Sequence, residues 1–437
     1  LIDGALGTLD KKGRRLFVYP LEVKGQYRAL RDKIYFVLIL FFLILPWIRI
    51  DDRQLVLLDI PGRKFTIFGL QFWAHDAPML FFVFGGFAIT LIFVTAIWGR
   101  VWCGWACPQT VFIDGVYRRI EKWVEGTAPK RKALDQAPWT WNKFKLRTIK
   151  HFLFLIVTLH ITHSFLAYFV GSKELIAMSL RPPTENWISF LFIMASTALL
   201  YFNFAWFREQ FCIIMCPYGR LQSALFDKNS MVVGYDTNRS DCIECKRCVY
   251  VCPTAIDIRQ GVQMECIACT ACMDACDDIM DKVKKPRGLI RYLTEVELAG
   301  KKVKHIRPRT VGYAFIWLVI FALFIGVLTS RKPVDFKVVK SELLPKSNPK
   351  ESSVFRYTLE VSNQTFKDTE FLLALPDEAN KVEMVAPDNP VNVPAGKVQK
   401  ISFFLKMPSN SFDLPDFALK IKANRDEIET IDLPLKR

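Results

Sequence analysis

No cysteine stands after Cys276 in this chain of 437 residues, so the C-terminal part has no disulfide framework available to it. No G-x-G-x-x-G run sits between a strand pattern and a helix pattern, which excludes a dinucleotide site of the Rossmann kind. Histidine is scarce, at five residues: His75, His151, His160, His163 and His305. Residues 1–33 are polar and basic, with Lys11, Lys12, Arg14, Arg15, Arg28, Arg31 and Lys33. They do not lead directly into a cleavable apolar core, so no signal peptide is expected.

What the chain has in excess is apolar residues gathered in blocks. Half of it is hydrophobic and 36 residues are Phe, alongside a net charge of +16. That combination points to a membrane protein with soluble parts. The blocks at 78–98, 152–170, 187–207 and 310–329 are each close to the ~20 residues a membrane helix needs. Trp98, Tyr168, Trp187 and Trp206 sit near their ends, where aromatic belts form. The first block, 34–48, holds 15 residues between Lys33 and Arg49. At about 1.5 Å per residue it falls short of a hydrocarbon core of about 30 Å. Snorkelling by Arg31, Lys33 and Arg49, or local thinning, makes up the difference.

Five spans put the termini on opposite sides. Lys and Arg are dense in residues 1–33, 118–150 and 282–309, whereas the 171–186 connection holds only Lys173 and Arg181. The 49–77 connection offsets its basic residues with Asp51, Asp52, Asp59 and Asp76. The positive-inside rule then places the N-terminus and the 118–150 and 231–309 segments in the cytoplasm of a bacterium, and the C-terminal region in the periplasm. Because the basic residues flank membrane spans, nucleic acid is not an expected partner.

From residue 331 the pattern changes to period two. Phe355, Tyr357, Leu359 and Val361 alternate with Arg356, Thr358 and Glu360. Ile401, Phe403, Leu405 and Met407 do the same, as do Phe417, Leu419 and Ile421. Turn residues punctuate these runs, as in Asn389-Pro390 and Pro394-Ala395-Gly396. Short strands over about 100 residues predict an immunoglobulin-like β-sandwich without the usual disulfide. Asn363-Gln364-Thr365 matches a glycosylation sequon, which in a bacterial-looking chain is a chance match.

All 12 cysteines lie between Cys103 and Cys276. Eight fall in two tandem runs: C-x-x-C-x-x-C-x-x-x-C-P from Cys242 to Pro253, and C-x-x-C-x-x-C-x-x-x-C from Cys266 to Cys276. This is the bacterial two-cluster ferredoxin spacing, in which the fourth cysteine of each run ligates the other cluster. One 4Fe–4S cluster is therefore assigned to Cys242, Cys245, Cys248 and Cys276, and the other to Cys266, Cys269, Cys272 and Cys252. Zinc uses separated pairs and does not account for two three-plus-one runs. Asp277 follows Cys276 where the first run has proline, which changes the local turn and sets an acid near a cluster. Thiols of this kind require a reducing compartment, which agrees with the orientation argued from charge.

The remaining four cysteines form C-x-x-x-C-P twice, as Cys103/Cys107 and Cys212/Cys216, each after a span that runs toward the cytoplasm. Spacing i, i+4 puts the two sulfurs of a pair on one helix face, and the proline ends or kinks the helix there. Two such pairs at one membrane depth predict a four-sulfur site suited to Cu(I), zinc or iron–sulfur, or to disulfide cycling. The bland alternative is four buried small hydrophobes. His160 and His163 lie at i, i+3 in the third span. Haem ligation there would need an axial partner, and interhelical hydrogen bonding is the plainer reading.

The expected architecture is thus a polytopic α-helical membrane protein of about five spans, with an inserted two-cluster bacterial ferredoxin module and a C-terminal immunoglobulin-like β-sandwich. Its parts are a basic N-terminus (1–33), a four-span membrane domain (34–230), the ferredoxin domain (231–309), a fifth span (310–330) and the sandwich (331–437).

Taken together, Val18-Tyr19-Pro20, the W-C-G-W-A-C-P-Q-T run from Trp102, Glu125-Gly126, the repeated C-x-x-x-C-P, the ferredoxin runs and the terminal sandwich resemble the cytochrome oxidase accessory family CcoG (FixG/RdxA). The resemblance covers essentially the whole chain and is most specific at 102–112. It implies a membrane-bound reductase that converts Cu(II) to Cu(I) for assembly of a cbb-type haem–copper oxidase. Cys103, Cys107, Cys212 and Cys216 would then handle copper, as substrate or bound ion, or relay electrons to it. Copper chaperones or oxidase subunits are the implied partners, with a soluble reductant or a quinol as the undefined electron donor. Two other readings stay open: a quinol-dehydrogenase-like electron-transfer subunit, and a non-enzymatic assembly scaffold.

Overall fold

Four helices among the described residues are long and apolar enough to cross a membrane: Met79–Trp98, Trp141–Val170, Trp187–Phe207 and Pro308–Thr329. They coincide with four of the expected spans. The structure, a computed structural model, describes residues 17–50, 53–60, 64–68, 70–72, 77–301, 307–329, 334–343, 353–363, 368–375, 383–386, 389–394, 397–407, 417–423 and 426–433. The basic stretch before Phe17, Asp51, Asp52, Asp76, His75, His305, Gln364-Thr365 and Ala395-Gly396 lie outside them. The chain divides into two compact units, Leu1–Ile325 and Gly326–Arg437.

The third span begins earlier than its apolar block because its polar first turns remain helical. Thr140 caps them, its hydroxyl accepting from the Lys143 N–H at 3.3 Å, as N-cap threonines do. Gly171, at φ 92°, closes the other end, a backbone region that favours glycine.

The short first block is the C-terminal part of a helix, Gln26–Ile44, extended by the 3-10 turn Leu45–Trp47. This helix is not among the four long and apolar enough to cross, because its first turns are polar. At one end the Asp274 carboxylate accepts from the backbone N–H groups of Tyr27 (3.2 Å) and Arg28 (2.7 Å). At the other, Phe42 O accepts from the Tyr168 hydroxyl at 2.8 Å, near the end of the third span. Gln54 then seals that end, donating to Ala167 O (2.8 Å) and accepting from Ser172 N (2.9 Å). The helix therefore reaches from the ferredoxin helix Ala271–Lys282 to the end of the third span at Tyr168. Beyond it lies a small antiparallel sheet of Val56–Asp59, Lys64–Ile67 and Leu70–Phe72, which the sequence reading did not anticipate.

Tyr117, Phe154 and Phe204 form the aromatic centre of the helical unit. Tyr117 lies 4.9 Å from Phe154 edge-on and 5.1 Å from Phe204 in a stack. His163 Nδ1 sits 2.8 Å from Leu159 O of its own helix, and His160 is exposed. Neither bridges helices as expected, because their carbonyl partner and outward face lie on their own span. The interhelical bond is made by His151, whose Nδ1 lies 2.7 Å from the Tyr201 hydroxyl.

The second unit carries a sandwich of two antiparallel four-stranded sheets. One runs in the order Val391–Val393, Thr369–Ala374, Phe417–Ala423, Asp426–Leu433; the other runs Glu383–Val385, Val398–Met407, Ser353–Asn363, Val334–Leu343. Tyr357, Leu359 and Val361 pair in register with Phe403, Ile401 and Gln399. The apolar members of that ladder are buried with Phe371, Leu373, Val391 and Val393 of the facing sheet. Period-two alternation turns one face of Ser353–Asn363, Val398–Met407 and Thr369–Ala374 inward, and Tyr357 stacks on Phe403 at 5.5 Å in that core.

Candidate functional site

The ferredoxin part is clasped by a two-stranded antiparallel sheet, Val232–Tyr235 with Ile290–Leu293. Between these strands the two cysteine runs repeat one backbone device. Glu244 and Lys246 in the first, and Ala268 and Thr270 in the second, all have positive φ, between 51° and 61°. The four hold equivalent positions, two and four residues after the leading cysteine. Non-glycine residues in this region cost of order 1 kcal/mol each and collect at functional sites. Here they fold each C-x-x-C-x-x-C run into a tight loop. The Glu244 N–H faces Cys242 Sγ and the Ala268 N–H faces Cys266 Sγ, each at 3.4 Å.

Burial is the largest influence on both Cys276 and Cys272; the thiols of Cys248, Cys245 and Cys242 add to it at Cys276, and those of Cys269, Cys266, Cys252 and Cys248 add to it at Cys272. Cys248, Cys252, Cys266, Cys269 and Cys272 line one cavity. Burial pushes Cys248 up to about 11 and Cys266 and Cys276 up to about 12, so these thiols need a compensating cation to ionise. The iron of a 4Fe–4S cluster would supply it, and eight cysteines are the number two such clusters require.

After Cys276 the chain keeps turning as a helix, Ala271–Lys282, whereas the helix holding Cys248 is only Arg247–Tyr250 and is followed by Pro253. Asp277 stands where a proline would have stopped it. Its carboxylate accepts from Gly288 N at 2.9 Å, and its charge adds to what raises Cys276.

In both C-x-x-x-C-P motifs the second cysteine is extended, Cys107 at ψ 126° and Cys216 at ψ 111°, each capping a helix that starts at the proline. The pairs are thus not on one continuous helix face as expected, because the proline ring disfavours helical geometry in the residue before it. Cys103 lies on the helix Val101–Trp105, and Cys212 lies in a π-helical turn, Phe211–Met215. Two further π turns, Ile113–Tyr117 and Asn203–Phe207, flank the motifs, and such turns are frequent at functional sites.

Side-chain contacts link the two motifs, although the described residues include no group of three or more His, Cys, Asp or Glu side chains that could hold a metal ion. Gln222, on the helix after Cys216, brings Nε2 to 3.3 Å from Cys103 Sγ. Gln109 and Asn203 exchange amide hydrogen bonds of 3.1 and 2.8 Å, and Gln109 also donates to Arg208 O at 3.1 Å, locking the two motifs side by side. Burial pushes Cys103 up to about 11, and burial likewise raises Cys107 and Cys212.

The first motif abuts the second cysteine loop. A Cβ on Gly104 would stand 2.5 Å from Ile267 O and 2.7 Å from Ala268 O, so only glycine permits the approach. Arg100 donates to Gly219 O at 2.9 Å and to Cys266 O at 3.5 Å, joining all three loops. Arg31 donates to Cys269 O and pairs at 2.7 Å with Asp114, which also meets Arg28 at 2.6 Å. Burial opposes the Asp114 charge, but Arg31, Arg28 and Arg118 hold its carboxyl below the usual range. Gly104, Arg100, Gln222 and Asp274 were missed in sequence. Only Gly104 carried a signal, its place inside W-C-G-W.

Fold and site together define a membrane iron–sulfur electron-transfer protein. Residues 207–241 and 239–295 match the 4Fe-4S dicluster domain family, 79–127 a 4Fe-4S binding domain family, and 324–433 the IG-like fold at the C-terminal of FixG. The chain is 33% identical to protein RdxA of Cereibacter sphaeroides over 90% of each chain. It is 33% identical to nitrogen fixation protein FixG of Rhizobium meliloti over 74% of this chain and 71% of that one. Ferredoxin-type protein NapH of Escherichia coli is 24% identical over 59% of this chain and 91% of its own. No solved structure matches the chain. The chain belongs to the FixG/RdxA family.

Proposed function

We propose that this protein is a bacterial inner-membrane cupric reductase that delivers Cu(I) for assembly of a cbb-type haem–copper oxidase. Cys103, Cys107, Cys212 and Cys216 handle the copper. Two 4Fe–4S clusters, held by Cys242, Cys245, Cys248 and Cys276 and by Cys266, Cys269, Cys272 and Cys252, supply electrons singly when bound. The observation that supports this reading is the packing of both C-x-x-x-C-P motifs against the Cys266–Cys269 loop through Gly104 and Arg100. Soft sulfur ligands favour Cu(I), so a Cu(II) substrate reaching the quartet is drawn toward the reduced state by the donor set itself. Gln222 and the Gly219 N–H (3.4 Å from Cys216 Sγ) orient two of the sulfurs.

In this reading residues 1–33 and 231–309 face the cytoplasm, 34–230 and 310–330 hold the spans, and 331–437 is a periplasmic module that docks copper chaperones or oxidase subunits. The test is anaerobic. Chemically reduced protein is mixed with Cu(II) and a Cu(I)-specific chromogenic chelator, and a quinol analogue is offered as an alternative donor in a parallel arm. One Cu(I) per reducing equivalent supports the reading. Cluster reduction by the quinol with no Cu(I) formed transfers support to the quinol-dehydrogenase alternative.

A further inference from the structure

The start of the third span carries a surface that the proposed chemistry leaves unused. The apolar block 152–170 fills a hydrocarbon core of about 30 Å, so the first turns of Trp141–Val170 pass out through the headgroup layer. Along this helix Trp141, Phe144, Thr148, Phe152, Leu155 and Leu159 are spaced three or four apart and all are exposed, which puts them on one face. The inner half of that face meets lipid chains, and the outer half continues the stripe to Trp141. Trp139 and Trp141 are 75% and 79% exposed, and Trp141 stacks on Phe144 at 5.5 Å. Tryptophan at the edge of a span marks the membrane–water interface. The short helix Ala128–Gln136 is fastened to this end. Lys143 Nζ donates to Asp135 O at 3.0 Å and to Ala137 O at 2.6 Å, and Arg131 pairs with Glu121 at 2.6 Å. The short helix presents Lys130 and Lys132, and the span presents Lys145. All three are exposed, and none has an ion-pair partner among the described residues. Asp135, the one acid on that short helix, is taken by Arg147.

We propose that this patch binds anionic phospholipid. Trp139 and Trp141 lie among the headgroups, Phe144 meets the upper part of an acyl chain, and Lys130, Lys132 and Lys145 meet lipid phosphates. Two features select lipid over an acidic protein. The apolar stripe is continuous with the lipid-facing side of a span, and the free cations stand where that span leaves the hydrocarbon. Lysine suits the task, because its apolar stem lies along the interface while the ammonium reaches the phosphate. Basic residues just outside a span attract anionic lipid. The inference rests on the spans of the chain and uses neither copper nor the clusters.

The test places the full-length, cluster-loaded protein in phosphatidylcholine vesicles with a trace of spin-labelled phosphatidylglycerol or spin-labelled phosphatidylcholine. Electron paramagnetic resonance of the label reads the fraction of each lipid held by the protein, with iron content and melting temperature as folding controls. Phosphatidylglycerol should be held in preference by about fivefold or more, an advantage that added salt reduces. Lys130→Glu, Lys132→Glu and Lys145→Glu together should erase the preference. Lys337→Glu, Lys400→Glu and Lys406→Glu, the same change of charge in the second compact unit, should keep it. Trp139→Ser with Trp141→Ser, which leaves the charge alone, should lower the amount of phosphatidylglycerol held. No preference in wild type would overturn the proposal and leave the lysines to an aqueous anionic partner. Preference that survives the Lys130, Lys132 and Lys145 changes, or retention untouched by the tryptophan changes, would also overturn it. Equal loss in the two triple variants would do the same, because net charge and not this patch would then attract the lipid.

Discussion

Gly104 packs on Ile267 with no room for a side chain: a Cβ would stand 2.5 Å from the Ile267 carbonyl oxygen. The contact fixes the first C-x-x-x-C-P motif against the loop that runs from Cys266 to Cys269. Both partners are backbone, so neither can rotate aside. Gly104→Ala should therefore cost about 1–3 kcal/mol, the usual penalty for overpacking. It should also alter the paramagnetic signal of the cluster held by the second loop while sparing the other. Thermal melts and electron paramagnetic resonance of the reduced protein check both outcomes.

Glu121 is the anchor of a buried ion network, 2.6 Å from Arg131 and bonded to Arg208. Burial alone would raise its pKa, but Arg208 and Arg131 outweigh that and hold it at about 2. A carboxylate with a depressed folded value adds stability that is fully present above its ordinary value of 4.5 and fades as pH falls toward about 2. Glu121→Gln leaves two arginines facing a neutral amide and should cost about 3 kcal/mol at neutral pH. The gap between wild-type and variant melting temperatures should close between pH 4.5 and about 2.

The crossed ligand sets make a paired prediction. Cys252→Ser should remove the same cluster signal as Cys269→Ser, although Cys252 belongs to the other run in sequence. Cys276→Ser should match Cys245→Ser. Iron content near half of wild type, with the surviving signal identical within each pair, is the expected result. Matching of Cys252→Ser with Cys245→Ser would mean each run keeps its own cluster.

Much of this was legible because the signals were local. Cysteine spacing, apolar blocks and period-two alternation each reflect neighbours within a few residues. What escaped depends on partners far along the chain. The Gln26–Ile44 helix begins among polar residues because Asp274, almost 250 positions later, caps it. Gln222 reaches Cys103 across 119 positions, and nothing in either segment announces the other. The expected shared helix face for Cys103 and Cys107 failed for a local reason. Pro108 imposes an extended Cys107, and that proline constraint outweighs helical periodicity. The histidines misled because position in a span does not say which neighbour a ring nitrogen finds: His163 found its own helix and His151 found Tyr201.

The central claim is that copper is reduced through the quartet. The most direct measurement mixes anaerobically reduced protein with stoichiometric Cu(II) and follows cluster oxidation by absorbance and electron paramagnetic resonance. Wild type is compared with a variant carrying Cys103, Cys107, Cys212 and Cys216 all changed to Ser. Fast oxidation in wild type, lost in a variant that retains both clusters, is the result predicted. Equal rates in the two proteins would contradict it, because copper would then meet the clusters without the four thiols.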